Sequence, residues 1–471
     1  MTSDTSEKGL ENIIFRDLLA AGWLPGDRKD YDRDYCIDRE HLRAFVLATQ
    51  PKLAEAFDLG NDSPRRRQFF ARLEKEIGSR GVIDVLRRGI GNGRHDLTLF
   101  YATPSPGNVR AAQLHAANRF SVTRQLRYSR DETRLALDLC LFVNGLPLAT
   151  FELKNSLTKQ TAADAVEQYK RDRDPKEPLF RFGRCVVHFA VDDSDVMMCT
   201  ELKGKESWFL PFNQGWSDGA GNPPNPAGLK TAYLWQTILT PAGLTNIVEN
   251  YAQIIEEKKQ KTGKKKRVQI FPRFHQLDVV RKLLADVAGQ GAGKRYLIQH
   301  SAGSGKSNSI AWLAHQLIGV QKDGKTVFDS IIVITDRRIL DQQIQETIKQ
   351  FAQVGATVGH AEHSGDLRKL IESGKKIIIS TVQMFPFVLD KLEEKRRDRS
   401  FAIVIDEAHS SQGGKNAAAL NEALTDTEDE INDALQKRMD ARKMLKNASY
   451  FAFTATPKNK TLEMFGEPLV S

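Results

Sequence analysis

RYLIQHSAGSGKSNSIAWLAHQL (residues 295–317) reads as a short buried strand, a glycine-bearing loop and the first turns of a helix. A loop that wraps phosphate oxygens with its backbone N–H groups needs conformations and close approach that a Cβ would block, and Gly303 and Gly305 supply them. Lys306 is placed to neutralise the β- and γ-phosphates and Ser307 to ligate Mg²⁺, while the helix N-terminus adds its positive dipole end. At one point the spacing departs from Gly-x4-Gly-Lys-[Ser/Thr]: His300 holds the first glycine position. Further on, FAIVIDEAH (401–409) is an apolar strand closed by two carboxylates. At the carboxyl edge of a sheet Asp406 would hold the water shell of Mg²⁺ and Glu407 would polarise the attacking water. An acidic pair without a role does not normally follow five residues of buried strand. The two stretches together point to an ATP site.

Working outward, the rhythm from Phe271 onward supports that reading. Short apolar runs (RYLIQH, SIIVITD, KIIIST, FAIVIDE, YFAFTAT) alternate with helical stretches, the pattern of a parallel sheet flanked by helices. Upstream the pattern differs. Between about 95 and 200 it consists of short β-type runs, DLTLFY, RFSVTRQLRY, RLALDLCLFV, LPLATFEL and RCVVHFAV, with turn residues between them. Residues 1–25 read as an amphipathic helix ending near Gly22, with Leu10, Ile13, Ile14, Leu18 and Leu19 on one face. GWSDGAGNPPNPAG (215–228) reads as loop and is followed by an apolar helical segment. Then comes the cationic run EEKKQKTGKKKR (256–267), read as a solvated helix end or linker, with a DNA-contacting strip as the alternative. The main boundary falls at about 250–270, dividing the chain into domains 1–255 and 256–471.

Composition sets the frame. A chain of 471 residues exceeds what one hydrophobic core usually serves, and 40% hydrophobic with 27% charged residues is the balance of a globular protein. No apolar run reaches the roughly 18 residues of a membrane span. The N-terminus lacks the basic start, apolar stretch and cleavage site of a secretory signal, so a cytoplasmic protein is expected. The four cysteines are scattered, with no Cys-x-x-Cys pair, and read as reduced, buried or half-buried thiols. A net charge of +9 favours a polyanionic partner such as DNA.

RLALDLCLFVNGLPLATFELKNS (134–156) holds a second constellation. Asp138 is followed by Glu152, and Glu152-Leu153-Lys154 is a Glu-x-Lys pair whose two charged residues share one face of a strand. Whether Asp138 joins them depends on the turn. A two-residue Asn144-Gly145 loop pairs position 138 with 151 and puts the two carboxylates on opposite faces. A three-residue loop, Val143-Asn144-Gly145 with a bulge at the glycine, pairs 138 with 150 and turns both to one side. The site therefore requires a bulged turn. Two carboxylates on one face can hold Mg²⁺ against a phosphodiester, and a nearby lysine can orient or activate water. A salt-bridged hairpin is the alternative, against which stands the cost of burying unneeded charge among Leu137, Leu139, Leu141, Phe151 and Leu153.

The residues DEAH, with FTATP downstream, resemble superfamily 2 helicases and translocases. That resemblance makes Thr454 and Thr456 part of a motif coupling the ATP site to DNA movement. It aligns TDRRILDQQ (335–343) and STVQMF (380–385) with DNA-backbone motifs, and Gln276 with a glutamine that reads adenine; an ordinary solvated helix glutamine is the other reading of Gln276. Taken in order, NRFSVTRQLRY (118–128), the Asp…Glu-x-Lys stretch, HSAGSGKS and IDEAHSSQ resemble the restriction (R) subunit of type I restriction–modification enzymes, from about residue 10 to the C-terminus. The resemblance implies a PD-(D/E)XK nuclease domain, a mixed sheet with helices, followed by a RecA-like parallel α/β ATPase domain. It assigns Asp138, Glu152 and Lys154 to the nuclease site. Glu11 matches an acidic residue that helps the metal site, a solvent-facing glutamate being the alternative. It further implies ATP and Mg²⁺ as cofactors, and double-stranded DNA with modification and specificity subunits as partners. Two departures stand out. Where relatives carry Gln-xxx-Tyr, Tyr169 is preceded by Ala165, with Gln168 adjacent instead. The chain also ends soon after FTATP, so a second RecA-like domain and a C-terminal helical region are expected to be missing and translocation to be lacking. Outside restriction, a stand-alone helicase–nuclease of DNA repair and a non-enzymatic adaptor are the rival readings.

Overall fold

The computed structural model describes residues 7–92, 95–131, 134–155, 158–217, 219–258, 265–301, 303–335, 348, 358–361, 364–381, 399–406 and 447–455. The chain forms two compact units, residues 1–274 and 275–471. Among the described residues no helix is long and apolar enough to cross a membrane, and all four cysteines are buried free thiols.

In the first unit α1 (Glu7–Ala20) buries Leu10, Ile14 and Leu18. A seven-stranded mixed sheet follows, with strands in spatial order β1 (Leu24–Pro25), β2 (Phe120–Arg127), β3 (Ala136–Val143), β4 (Leu146–Leu153), β5 (Val187–Val191), β6 (Val196–Cys199) and β7 (Leu210–Pro211). β2, β3 and β4 form an antiparallel meander, whereas β4 and β5 run parallel. Parallel neighbours need a crossover, and α2 (Ala162–Asp172) supplies it. Two carboxylates fix the start of α2: Asp164 accepts from the Thr161 N–H and Asp192 from the Ala162 N–H, both at 2.7 Å. Every residue of β4 is buried, as befits a central strand covered on both faces.

The described ends of the cationic run are strand, not the helix end or linker expected. β8 (Gln253–Lys258) and β9 (Lys265–Ile270) pair antiparallel from Gln253↔Ile270 to Lys258↔Lys265; residues 259–264 lie outside the described ones. Its anchor is polar. Buried Gln269 donates its side-chain amide to the Cys185 and Thr200 carbonyls at 2.7 and 2.8 Å. The whole hairpin, which a boundary between 255 and 256 would divide, therefore belongs to the first unit.

In the second unit α3 (Phe274–Gln290) precedes β10 (Arg295–Gln299) and α4 (Lys306–Leu317). Then come β11 (Ser330–Thr335), β12 (Val358–Ala361), α5 (Ser364–Glu372), β13 (Ile377–Thr381), β14 (Phe401–Asp406) and β15 (Ala448–Thr454). The six strands pair in parallel throughout, in the order β10-β15-β14-β11-β13-β12. β11, β14 and β15 are buried along their whole length, so their runs of Ile, Val, Phe and Ala show no polar alternation. The five runs read as strands from the sequence are β10, β11, β13, β14 and β15.

Candidate functional sites

The β3–β4 turn decides the first site. Asn144 and Gly145 both take positive φ, 51° and 81°, and Val143 pairs with Leu146, which makes a two-residue turn. Asn144 is fully buried: its side chain accepts from the Arg119 N–H at 2.6 Å and donates to the Leu99 carbonyl and Asn118 Oδ1 at 2.8 and 3.0 Å. The bulge that the site requires lies elsewhere. Phe142 pairs with Pro147 but Leu141 with Ala149, so the extra residue enters β4 at Pro147–Leu148 rather than at the glycine. Proline has no N–H to give the ladder, so β4 is the strand that yields there. From the bulge onward Cys140 pairs with Thr150 and Leu139 with Phe151, a register that carries Asp138 directly opposite Glu152. Neither register weighed from the sequence is the one formed, yet the two carboxylates do share a face.

The row extends further across the sheet. Arg124 pairs with Leu139 and Leu126 with Leu137, which sets Gln125 opposite Asp138. Gln125 adopts φ 47° inside a strand, a conformation that costs a non-glycine residue about 1–2 kcal/mol and clusters at functional sites. Its amide nitrogen donates both to Asp138 Oδ1 (3.2 Å) and to Glu11 Oε2 (2.6 Å). Glu11 is thus not solvent-facing: it is buried on α1, and its other oxygen takes the Arg124 guanidinium. Asp138 Oδ2 accepts the Leu153 N–H at 2.7 Å. Burial raises the Asp138 carboxyl above its usual range, opposed by the Leu153 N–H, Lys154 and Gln125. Glu152 is 0% exposed, and burial pushes it up to about 8, with Arg173 pulling it down and Asp138 adding to the rise. Arg173 Nε meets Glu152 Oε1 at 2.6 Å, while Oε2 is buried without a hydrogen-bond partner. Lys154 follows the last residue of β4; its backbone N–H donates to the Val191 carbonyl at 2.9 Å and its charge favours ionisation of both carboxylates.

A divalent cation fits this chemistry. Two facing carboxyls are driven toward protonation by burial, and one buried oxygen has no donor; positive charge between them would satisfy both conditions. Among the described residues no three His, Cys, Asp or Glu side chains form a ready-made cage. A cation would therefore complete its shell with water and phosphate oxygens, the habit of Mg²⁺. Tyr169 is fully buried, its hydroxyl 2.8 Å from Thr150 Oγ1, which in turn lies 2.7 Å from His188 Nδ1. It fastens α2 to the sheet. Spacing alone revealed neither Gln125 nor Arg173. The one available signal for Gln125 was its place in the strand next to Asp138.

In the second unit Gly303 and Gly305 have φ of 75° and 82°, the left-handed region anticipated for the loop, and Gly305 caps α4. Lys306 Nζ lies 2.7 Å from Asp406 Oδ1 at the carboxyl end of β14. Ser307 stands in the first turn of α4. Gln276 is buried, not solvated, and its amide donates to the Ser304 and Gly305 carbonyls at 3.2 and 2.9 Å. It grips the phosphate loop. His300 has a structural partner on each ring nitrogen, Ser304 Oγ at 2.5 Å from Nδ1 and Ser309 Oγ at 3.3 Å from Nε2. Its backbone N–H donates to the Thr454 carbonyl at 2.7 Å. Glu407, Thr456 and all but the first residues of the two DNA-backbone stretches (Thr335; Ser380 and Thr381) lie outside the described residues.

The first unit is a mixed sheet with a facing acidic pair, and the second a parallel sheet with a glycine loop at the head of a helix. Residues 4–207 match the family described as the type I restriction enzyme R protein N terminus, and residues 275–470 match the SWI2/SNF2 ATPase family. The chain is 25% identical over 468 residues to the type I restriction enzyme SauCOLORF180P endonuclease subunit of Staphylococcus aureus, covering 96% of this chain and 43% of that protein. To the HindI endonuclease subunit of Haemophilus influenzae it is 27% identical over 505 residues, covering 98% and 44%. A solved fragment described as an HsdR subunit of a type I restriction enzyme from Vibrio vulnificus aligns with 71% of this chain and 49% of its own, at 15% identity and a TM-score of 0.27. The chain is thus similar along most of its length to type I restriction endonuclease subunits, matching the R-protein N-terminal family and then the SWI2/SNF2 ATPase family, and it spans less than half the length of those curated relatives.

Proposed function

We propose that the first unit hydrolyses phosphodiester bonds of double-stranded DNA with the help of Mg²⁺, and that the second hydrolyses ATP to move that DNA, within an assembly that includes modification and specificity subunits. The observation that carries the reading is the register of the β3–β4 hairpin, which sets Asp138 opposite Glu152 with Lys154 two residues along the same face. Asp138 and Glu152 would hold the cation. Bound there, it would supply Lewis-acid polarisation and a more acidic water. Lys154 orients water and stabilises charge developing on the phosphate. Glu11, tied through Gln125 to Asp138, keeps that carboxylate in place.

In the second unit Lys306, paired with Asp406, would hold the β- and γ-phosphates, and Asp406 and Ser307 would hold Mg²⁺. Glu407 is the residue proposed to polarise the attacking water. The net charge of +9 and the relatives' restriction activity both support DNA as the substrate. The decisive test is Asp138→Ala in the assembled enzyme, which should abolish DNA cleavage while DNA-stimulated ATP hydrolysis continues. Undiminished cleavage would overturn the assignment.

A further inference from the structure

We infer that Arg173 is a positioning residue that selects which oxygen of Glu152 meets a divalent cation; the inference rests on reading Asp138 and Glu152 as the phosphodiesterase site. Arg173 stands at the C-terminal cap of α2, where the backbone has left the helix (φ −111°, ψ 99°). Three separate elements hold its guanidinium. Nε donates to Glu152 Oε1 at 2.6 Å, Nη2 to the Ala136 carbonyl at 3.0 Å, and Nη1 to the Tyr128 hydroxyl at 3.5 Å. The group also lies over the Tyr128 ring, 5.6 Å from its centroid. With Arg173 3% exposed and Glu152 0%, neither side chain has solvent into which to swing.

The form of the contact separates a positioning role from a plain buried ion pair. An arginine that merely neutralises a buried carboxylate does so best in the two-pronged mode, with a nitrogen on each oxygen. Here one oxygen is taken, and the other, Oε2, is buried with no partner. Such a half-satisfied pair is a poor device for stability, since well-packed apolar residues would serve as well or better. It is a good device for fixing a carboxylate so that one oxygen only is available. Single-oxygen binding suits Mg²⁺ or Mn²⁺, which keep octahedral shells rich in water, whereas Ca²⁺ readily takes carboxylates through both oxygens. Lysine could not replace this arrangement, because a point charge lacks the planar fork that reaches Glu152, Ala136 and Tyr128 together.

The test is Mn²⁺ titration of the 471-residue chain without DNA, followed by electron paramagnetic resonance. Asp138→Asn and Glu152→Gln should each abolish binding at the site. Arg173→Lys should weaken it roughly 10–100-fold, the usual effect of removing an outer partner of a ligand. In the unaltered chain the Arg173 Nε–H, followed by NMR of labelled arginine, should stay protected from exchange when Mg²⁺ is added; this readout needs no variant to fold. Wild-type Mn²⁺ affinity in Arg173→Lys, or loss of Nε–H protection on adding Mg²⁺, overturns the role of Arg173 and leaves the acidic site standing. Undiminished binding in both Asp138→Asn and Glu152→Gln overturns the site itself and the inference with it.

Discussion

In the mixed sheet the polar row Gln125, Asp138, Glu152 runs across three adjacent strands; in the parallel sheet Asp406 and Thr454 stand at strand ends, beside a loop. The two arrangements hold buried charge differently. Glu152 is held by Arg173, which three elements pin in place, and Asp138 by a backbone N–H. Asp406 is held by Lys306, a flexible side chain on the first turn of α4 with 18% of its surface exposed. A charge neutralised by a fixed partner stays where it is when a ligand arrives. A charge neutralised by a mobile partner can be handed over. The first design would suit the proposed phosphodiester site, which needs constant geometry, and the second the proposed ATP cycle, in which phosphate enters and leaves.

The largest effects should come from removing the lysine of each site. Lys306→Ala should eliminate ATP hydrolysis and DNA movement; a fully active variant would refute the phosphate-site reading. Because it also leaves Asp406 buried without its partner, thermal unfolding should show a loss toward the lower end of roughly 3–5 kcal/mol. Lys154→Ala should slow cleavage by about 10²–10⁴-fold and leave ATP hydrolysis unchanged, as measured by DNA nicking alongside phosphate release. Equal losses in both activities would erase the contrast between the units.

A smaller, structural effect is expected at Asn144. Asn144→Ala removes three hydrogen bonds at a positive-φ turn and should destabilise the hairpin by roughly 2–4 kcal/mol. Hydrogen exchange should quicken in residues 136–153 and stay unchanged in β11 and β14. The smallest effect concerns acid. Burial depresses His188 to about 3, so between there and its unfolded value near 6.5 the unfolded chain binds a proton that the folded chain refuses. The stability this contributes is present above pH 6.5 and falls by up to about 1.4 kcal/mol per pH unit as acid is added. His188→Gln should flatten that slope in melting curves recorded from pH 7 to 5; an unchanged slope would place the acid sensitivity elsewhere.

Much of the molecule was legible where local pattern and global fold agree. The apolar runs of the parallel sheet needed no partner to be recognised, and the loop glycines follow from the conformations phosphate binding demands. The hairpin was harder. Asn-Gly announced the turn, but Pro147 carried the information about the bulge: a proline inside a strand pattern marks an irregularity, and here that irregularity set the register. The cationic run concealed a hairpin because lysine and glutamate are poor strand formers, and the buried amide of Gln269 helps to anchor β9. Arg173 and the burial of Glu11 lie beyond sequence pattern altogether. Each depends on segments far apart in the chain being brought together, and no periodicity encodes such a meeting.

The bracing of the phosphate loop has a consequence for how a nucleotide would bind. Gln276 ties two of its carbonyls to α3, and His300 ties the loop to α4 and to Thr454. A glycine at position 300 would have left the segment many conformations to give up on association. With the imidazole there, that entropy is surrendered when the chain folds, so little ordering remains to weaken the encounter with phosphate.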